Sequence, residues 1–314
     1  MNILSLFDGI SCARVALERT GIPITKYYAS EIDKNAIAVA TKNYPDTIQL
    51  GDVKTITNDL IASYMGNVEI GLMIGGSPCQ DLSIAQKNRK GLDGERSGLF
   101  WEYVRILKEA KPRWFILENV ASMSKEAKEV ITRELGVEPI MINAALVSAQ
   151  NRKRLFWTNI PNVKLPDDRG IFLKDILEPS ADDTFTVRIG SINKGGQGDR
   201  IYSPEGKSVG LSALGGGRGA KTGLYIVQTP RGKNIGGKRA LNGEVPTLSS
   251  SSWEHNNKLS ENEIIRKLTP VECERLQSLP DNYTEGISNT QRYKALGNAF
   301  NVEVVAHILK GITN

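Results

Sequence analysis

Cysteine is scarce in this chain: Cys12, Cys79 and Cys273 are the three among 314 residues. They are too few and too scattered for a disulfide framework or a zinc site, and a reducing, cytoplasmic setting is expected. Histidine is scarcer still. His255 and His307 stand alone, and an isolated His is more often structural than a ligand, so no metal is expected. No apolar run approaches the ~20 residues that a membrane span needs, so no membrane partner is expected. The first residues, M-N-I-L-S-L-F-D, carry no basic stretch and meet Asp8 at once, so they do not read as a signal peptide. The three glycines of a dinucleotide fingerprint are also missing. F-D-G-I-S-C-A supplies only Gly9, which counts against a nicotinamide cofactor.

What is present describes an ordinary globular protein, 40% hydrophobic and 24% charged. The length suits one large α/β domain, or a large and a small one. Charge is uneven. Residues 188–239 hold ten Lys/Arg against two Asp/Glu, a local +8 in a chain whose net charge is +5, leaving −3 for the rest. Such a block suits either a polyanionic partner or a solvated loop region.

Residues 1–160 alternate strand-like and helix-like segments. Strands are expected over 2–7, 25–30, 47–50, 70–74, 114–117, 138–143 and 154–159. Helices are expected over 11–20, 32–44, 54–64 and 99–110, the first capped by Ser11. Alternation of this kind implies a mostly parallel sheet covered by helices. From about 165 to 262 the texture changes. Half of the 30 glycines lie between 190 and 243, with strand candidates only at 185–189 and 224–228, as in an inserted, loop-rich β domain. Thr269-Pro270 then caps a helix over 267–278, and a last helix begins near 302.

Chemistry-bearing residues collect at the expected strand ends. The apolar run 70–74 is broken by Gly75-Gly76, and Pro78 stiffens the turn that follows. Cys79 is thereby delivered to the carboxyl edge of the sheet, where open α/β folds bind ligands. A buried, inert thiol is the alternative. Asp8, Glu31 and Asp52 close three successive strands. Glu31 lies 22 residues after Gly9, about where an acid meets a ribose; each acid is otherwise a helix cap or turn residue. The polar stretch 80–98 has the texture of a binding loop, and its Lys87, Arg89 and Lys90 suit a phosphate backbone. Glu118 ends the strand W-F-I-L. In Q-N-R-K-R, Arg152 and Arg154 are expected to share one face of an extended chain, the alternative being a basic surface turn.

Taken together, these motifs resemble the cytosine-5 DNA methyltransferases over nearly the full length and in their order. F-D-G-I matches the cofactor motif, G-G-S-P-C-Q-D-L-S the nucleophile motif, E-N-V the carboxylate motif and Q-N-R-K-R the arginine motif. R-K-L-T-P-V-E-C-E-R-L-Q-S-L-P and A-L-G-N-A-F match the late motifs. Two departures are Ile10-Ser11, where further glycines are common, and Ser77, where many members carry an aromatic.

The resemblance implies a Rossmann-like α/β methyltransferase fold using S-adenosylmethionine, with Phe7, Asp8, Gly9, Ile10, Glu31, Ile32, Asp52, Val53, Pro78, Leu99, Asn298 and Ala299 as cofactor contacts. It implies Cys79 as nucleophile, Glu118 at cytosine N3, and Arg154 at O2 with Arg152 in support. Duplex DNA is the implied partner, met by Gln80, Ser83, Lys87, Arg89 and Lys90, and by Arg218, Lys221, Arg231, Lys233, Lys238 and Arg239 of the basic block. The division expected is 1–170 as catalytic lobe, 171–290 as smaller target recognition lobe, and 291–314 as a helix returning to the first. A monomer is expected, with a cognate restriction endonuclease as a candidate partner. The rivals are a relative acting on cytosine in RNA and a non-catalytic DNA-binding relative.

Overall fold

The computed structural model describes residues 1–57, 59–60, 63, 69–78, 98–178, 188–191, 200–202, 208–209, 224–228, 263–266 and 268–313, the segments between 188 and 266 by their backbone. In chain order the elements are β1 (Asn2–Leu6), α1 (Cys12–Arg19), β2 (Lys26–Ser30), α2 (Lys34–Asn43), β3 (Ile48–Gln49), β4 (Leu72–Gly75), α3 (Leu99–Ala110), β5 (Trp114–Val120), α4 (Lys125–Leu135), β6 (Ile140–Asn143), β7 (Gln150–Asn151) and β8 (Lys153–Thr158). There follow β9 (Arg188–Ser191), β10 (Arg200–Tyr202), β11 (Ser208–Val209), β12 (Leu224–Gln228), β13 (Glu263–Arg266), α5 (Pro270–Leu276), α6 (Asn289–Asn298) and α7 (Val302–Thr313). They form two compact units. One comprises Met1–Asn143, Lys153–Leu165 and Val302–Asn314; the other comprises Ala144–Arg152 and Pro166–Asn301. The segment 144–152 and helix α6 thus fall in the second unit, whereas the sequence-based division groups them with the first.

The first unit is built on a seven-stranded sheet in the order β3-β2-β1-β4-β5-β8-β6. The first five strands are mutually parallel, and β8 runs antiparallel to both its neighbours. This is the mostly parallel α/β sheet expected. Strand order reverses between β1 and β4, the switch point at which such sheets open a crevice beyond their carboxyl ends.

Alternation along the strands turns Leu4, Leu6, Met73, Phe115, Leu117, Leu155 and Trp157 onto one core, which they share with Phe100, Tyr103, Val104 and Ile106 of α3 and Ile131 and Leu135 of α4. The helical residues recur at three- and four-residue spacing, as a single buried face requires. Each buried side chain of this size contributes about 1.5–3 kcal/mol relative to exposure. Helix α7 packs on α1, where Arg19 Nη1 meets Glu303 Oε1 at 2.6 Å.

Local chemistry explains the helix ends. Asp33 caps α2 by accepting from the amides of Asn35 and Ala36, and Ser124 caps α4 through the amide of Ala127. Helix α4 is absent from the expectations above, although Ser124 and the left-handed Gly136 mark both of its ends. In place of a helix from residue 54, the chain makes a 3-10 turn over Val53–Thr55, and helical residues recur at 59–60 and 63.

The second unit contains a four-stranded sheet, β13-β12-β10-β9, and the short parallel pair β7 and β11. Helix α5 starts on a reciprocal cap: Thr269 accepts from the amide of Glu272, whose side chain accepts from the amide of Thr269. Fully buried Glu274 accepts from the amides of Asn282 and Thr284, the Thr284 hydroxyl and Arg292 Nη2. A carboxylate so deep requires that many donors, and the arrangement pins the turn after α5.

Candidate active site

Beyond Leu6 the chain turns sharply, with Phe7 at φ 56°, Gly9 at φ 60° and Ser11 at φ 59°. Left-handed backbone at non-glycine residues costs on the order of 1–3 kcal/mol each and persists only where the surroundings hold it. Here Asp8 does the holding. Its amide donates to Ser30 O at 3.0 Å, its Oδ2 accepts from the Ser11 hydroxyl at 2.5 Å, and its Oδ1 accepts from Tyr27 OH at 2.6 Å. Burial raises the Asp8 pKa, against the lowering effect of hydroxyls from Ser11, Ser5 and Tyr27. Ser11 stands at the start of α1 but gives the helix no side-chain cap, because its hydroxyl is committed to Asp8. The Asp8 side chain therefore braces the loop from inside.

At the end of β2, Glu31 gathers three backbone donors. Gly9 N reaches its Oε2 at 2.8 Å, and Ile32 N and Asp33 N reach its Oε1 at 2.7 and 2.9 Å. One carboxylate thus ties the first strand end to the second. Next to it Ile32 is 69% exposed, an apolar side chain standing in solvent. Asp52, after β3, caps the turn at Val53–Thr55 through the amide of Lys54 at 3.0 Å; Val53 is buried. Around the left-handed Gly9 there is open space where a side chain would begin. Acceptors, an exposed apolar side chain and a glycine with room beside it, beyond the carboxyl ends of β1, β2 and β3, fit a nucleoside-bearing cofactor without a pyrophosphate to cradle. Leu99, at the start of α3, packs partly buried on the core.

On β4, Gly75 is a close-approach position: a Cβ there would lie 2.8 Å from the Leu6 carbonyl oxygen and 3.2 Å from the Tyr103 ring. The chain continues through buried Ser77 to Pro78. Asn119 of β5 reaches across to it, its Nδ2 lying 3.1 Å from Ser77 Oγ. Glu118, on the opposite face of β5 from Asn119, pairs with Arg154 of β8, Nε to Oε1 at 2.7 Å, the two side chains only 21% and 13% exposed. Arg154 Nη1 also donates to Lys153 O.

Arg152 and Arg154 bond different partners. Arg152 lies at the break between β7 and β8, in the second unit, and is buried. Its Nη1 and Nη2 donate to the carbonyls of Gly297 and Ala299 at 3.2 and 3.0 Å. It thus holds the end of α6, whose last residue is Asn298. Gln277 Nε2 adds a bond to Leu296 O at 2.6 Å. Cys79, Gln80, Ser83, Lys87, Arg89, Lys90, Arg218, Lys221, Arg231, Lys233, Lys238 and Arg239 lie outside the described residues. Sequence reasoning missed Tyr27, Ser77 and Asn119 as parts of this edge. Asn119 stands inside E-N-V, so its signal was available beside that of Glu118.

Among the described residues, no cluster of three His, Cys, Asp or Glu side chains could hold a metal, and no helix is long and apolar enough to cross a membrane. The type II methyltransferase M.HhaI of Haemophilus parahaemolyticus is 29% identical to this chain, over 99% of it and 94% of the relative. M.NlaX of Neisseria lactamica, also a type II methyltransferase, is 27% identical over 98% and 94%. Among solved structures, the Entamoeba histolytica methyltransferase EhMeth superposes with a TM-score of 0.72 at 18% identity, over 99% of this chain and 97% of the other. Schizosaccharomyces pombe Dnmt2 superposes at 0.67 and 18%, covering both chains completely. These likenesses establish a shared methyltransferase fold. The profile of the C-5 cytosine-specific DNA methylases matches residues 1–314, and the chain belongs to that family.

Proposed function

We propose that this methyltransferase transfers a methyl group from S-adenosylmethionine to C5 of a cytosine swung out of duplex DNA at a specific sequence. Ring carbon C5 is a poor nucleophile. Addition of the Cys79 thiolate to C6 makes C5 enamine-like, and thiolates are the protein nucleophiles best suited to such addition. Negative charge then spreads onto the ring. Glu118 holds or protonates N3, and Arg154 meets O2. The cofactor supplies the electrophilic methyl. After transfer the C5 proton leaves and the Cys79–C6 bond breaks, restoring aromaticity. The observation that carries the reading is the Glu118–Arg154 pair at the edge where β4 runs out towards Cys79.

For the cofactor, Glu31 suits the ribose hydroxyls, Ile32 one face of the adenine, and Asp52 with Val53 its amine edge. The backbone of Phe7–Ile10, with Pro78, Leu99, Asn298 and Ala299, completes the set that the family motifs suggest. Arg152 serves by holding the carbonyls on either side of Asn298. Extruding a base costs on the order of a few kcal/mol, which phosphate contacts from 80–98 and from the +8 block offset. Base reading falls to the region between 171 and 290, a monomer suffices, and a cognate restriction endonuclease is the natural partner for a type II relative.

Bisulfite sequencing of DNA from cells expressing the chain tests this, with trapping on duplexes that carry 5-fluorocytosine in the motif so found. The expected result is one methylated sequence and a denaturation-resistant adduct at Cys79. Methyl transfer to tRNA with none to duplex DNA would favour the RNA-acting rival, and an adduct elsewhere would remove Cys79 as nucleophile.

A further inference from the structure

The ladder between β4 and β5 ends at the pair Gly75 and Leu117. Two residues further along each chain stand Ser77 and Asn119, and they meet through the Asn119 side chain. Asn119 Nδ2 donates to Ser77 Oγ at 3.1 Å and lies 3.4 Å from Ser77 O, while its Oδ1 accepts from the Val120 amide at 2.8 Å. The amide orientation is settled by that last bond. A backbone N–H can only donate, so the oxygen must face Val120, and the NH2 is left for the two oxygens of Ser77. Ser77 is 4% exposed and Asn119 1%. Bonds between buried partners that water cannot replace are costly to leave unmade. Asn119 follows Glu118 directly, and Ser77 precedes Cys79 by two residues.

We propose that Ser77 and Asn119 are positioning residues for methyl transfer, a side-chain latch that extends the sheet past its last backbone rung. The latch fixes the strand end leading to the nucleophile relative to the strand carrying the carboxylate. Neither residue touches substrate; they act through Cys79 and Glu118. The proposal rests on the assignment of those two residues made above. A reacting thiol misplaced by about 1 Å can cost a hundredfold in rate, so a bond that merely aims the loop has leverage on turnover.

The test compares wild type, Ser77→Ala, Ser77→Thr and Asn119→Ala on the duplex motif found by bisulfite sequencing. The readouts are kcat, KM for S-adenosylmethionine, thermal midpoint and the rate of adduct formation with 5-fluorocytosine DNA. Ser77→Ala should lower kcat and the adduct rate about tenfold, with the cofactor KM close to wild type and the midpoint lower by only a few degrees. Ser77→Thr, which keeps the hydroxyl, should restore most of the loss. Asn119→Ala should lower the adduct rate at least as much. An unchanged adduct rate in Ser77→Ala, or no rescue by Thr, overturns the latch. If wild type itself forms no adduct, the assignment of Cys79 fails instead, so the two failures are distinguishable.

Discussion

Arg154 Nε meets Glu118 Oε1 at 2.7 Å across the diagonal of an antiparallel ladder, not straight across it. In register, Glu118 faces Phe156 and Arg154 faces Val120. Diagonal partners are within reach of long side chains, and the diagonal sets the planar guanidinium beside the carboxylate two residues before β5 ends at Val120. The pairing fixes the orientation of both groups, as the role proposed for them at the cytosine ring requires.

Removing the charge of Glu118 while keeping its shape should separate chemistry from folding. Glu118→Gln is expected to lower the single-turnover methylation rate by about 10²–10⁴, the range for a positioned acid or base. Its thermal midpoint should stay within a few degrees of wild type. Arg154→Ala should lose activity comparably and also lose stability, because it leaves a largely buried carboxylate without its cation. Equal, small effects of both variants on rate would remove the pair from the chemistry.

Gly75→Ala tests the seam at which the site is built. The new methyl would stand 2.8 Å from a backbone oxygen, Leu6 O, which cannot swing aside as a side chain could. Overpacking of this kind costs typically 1–3 kcal/mol, roughly. The denaturation midpoint should therefore fall, while Gly9, with open space around it, would oppose a side chain through its left-handed backbone alone. A Gly75→Ala protein as stable as wild type would show that β1 and β4 can separate without penalty.

Much of this edge was legible beforehand, for identifiable reasons. Helix α3 fills 99–110 as expected because Phe100, Tyr103 and Val104 repeat at helical spacing, and β12 fills 224–228 because it is a short apolar and β-branched run. The resemblance implies one helix over 291–314, where the chain forms two, α6 and α7, and α6 carries little signal of its own. Of its ten residues only Leu296 and Gly297 are buried, so almost no periodicity survives in the sequence. At the site, Asp8, Glu31, Asp52 and Glu118 could be placed at strand ends, but not their partners. Tyr27 is 19 residues from Asp8, and Asn119 is 42 from Ser77; such bonds are products of sheet order, which spacing does not encode. The partners of Arg152 were out of reach for the same reason, since the carbonyls of Gly297 and Ala299 lie 145 and 147 residues away along the chain.

Glu31 should govern cofactor affinity before it governs rate. In the structure its two oxygens are satisfied by Gly9, Ile32 and Asp33 amides, so the carboxylate also shapes the loop it would share with a ribose. Glu31→Ala is expected to weaken S-adenosylmethionine binding about tenfold or more, because hydrogen bonds to a charged acceptor contribute about 1.5–3 kcal/mol. Calorimetric titration of the cofactor alone measures this without any nucleic acid. Unaltered affinity would place the nucleoside elsewhere.

Asp8 yields a prediction whose sign can be worked out. Burial raises its pKa above the ordinary 3.8. The native state therefore binds this proton more tightly than the unfolded chain does, and stability falls as pH rises wherever the native state carries the extra proton. The contribution of Asp8 is thus full below about pH 4 and is lost as pH climbs through the raised native value. Asp8→Asn cannot ionise, yet its amide fits the same space, with one hydroxyl of Ser11 or Tyr27 turned to accept rather than donate. The difference in melting temperature, wild type minus variant, should be most favourable to wild type near pH 4, shrink as pH rises, and level off once the native carboxyl has ionised. Acid-labile groups elsewhere cancel in that difference. An advantage of wild type that instead grew with pH would mean that the ionised carboxylate is the preferred form, with the two hydroxyl bonds outweighing burial; the loop from Phe7 to Ser11 would then be held by a charge rather than by a neutral acid.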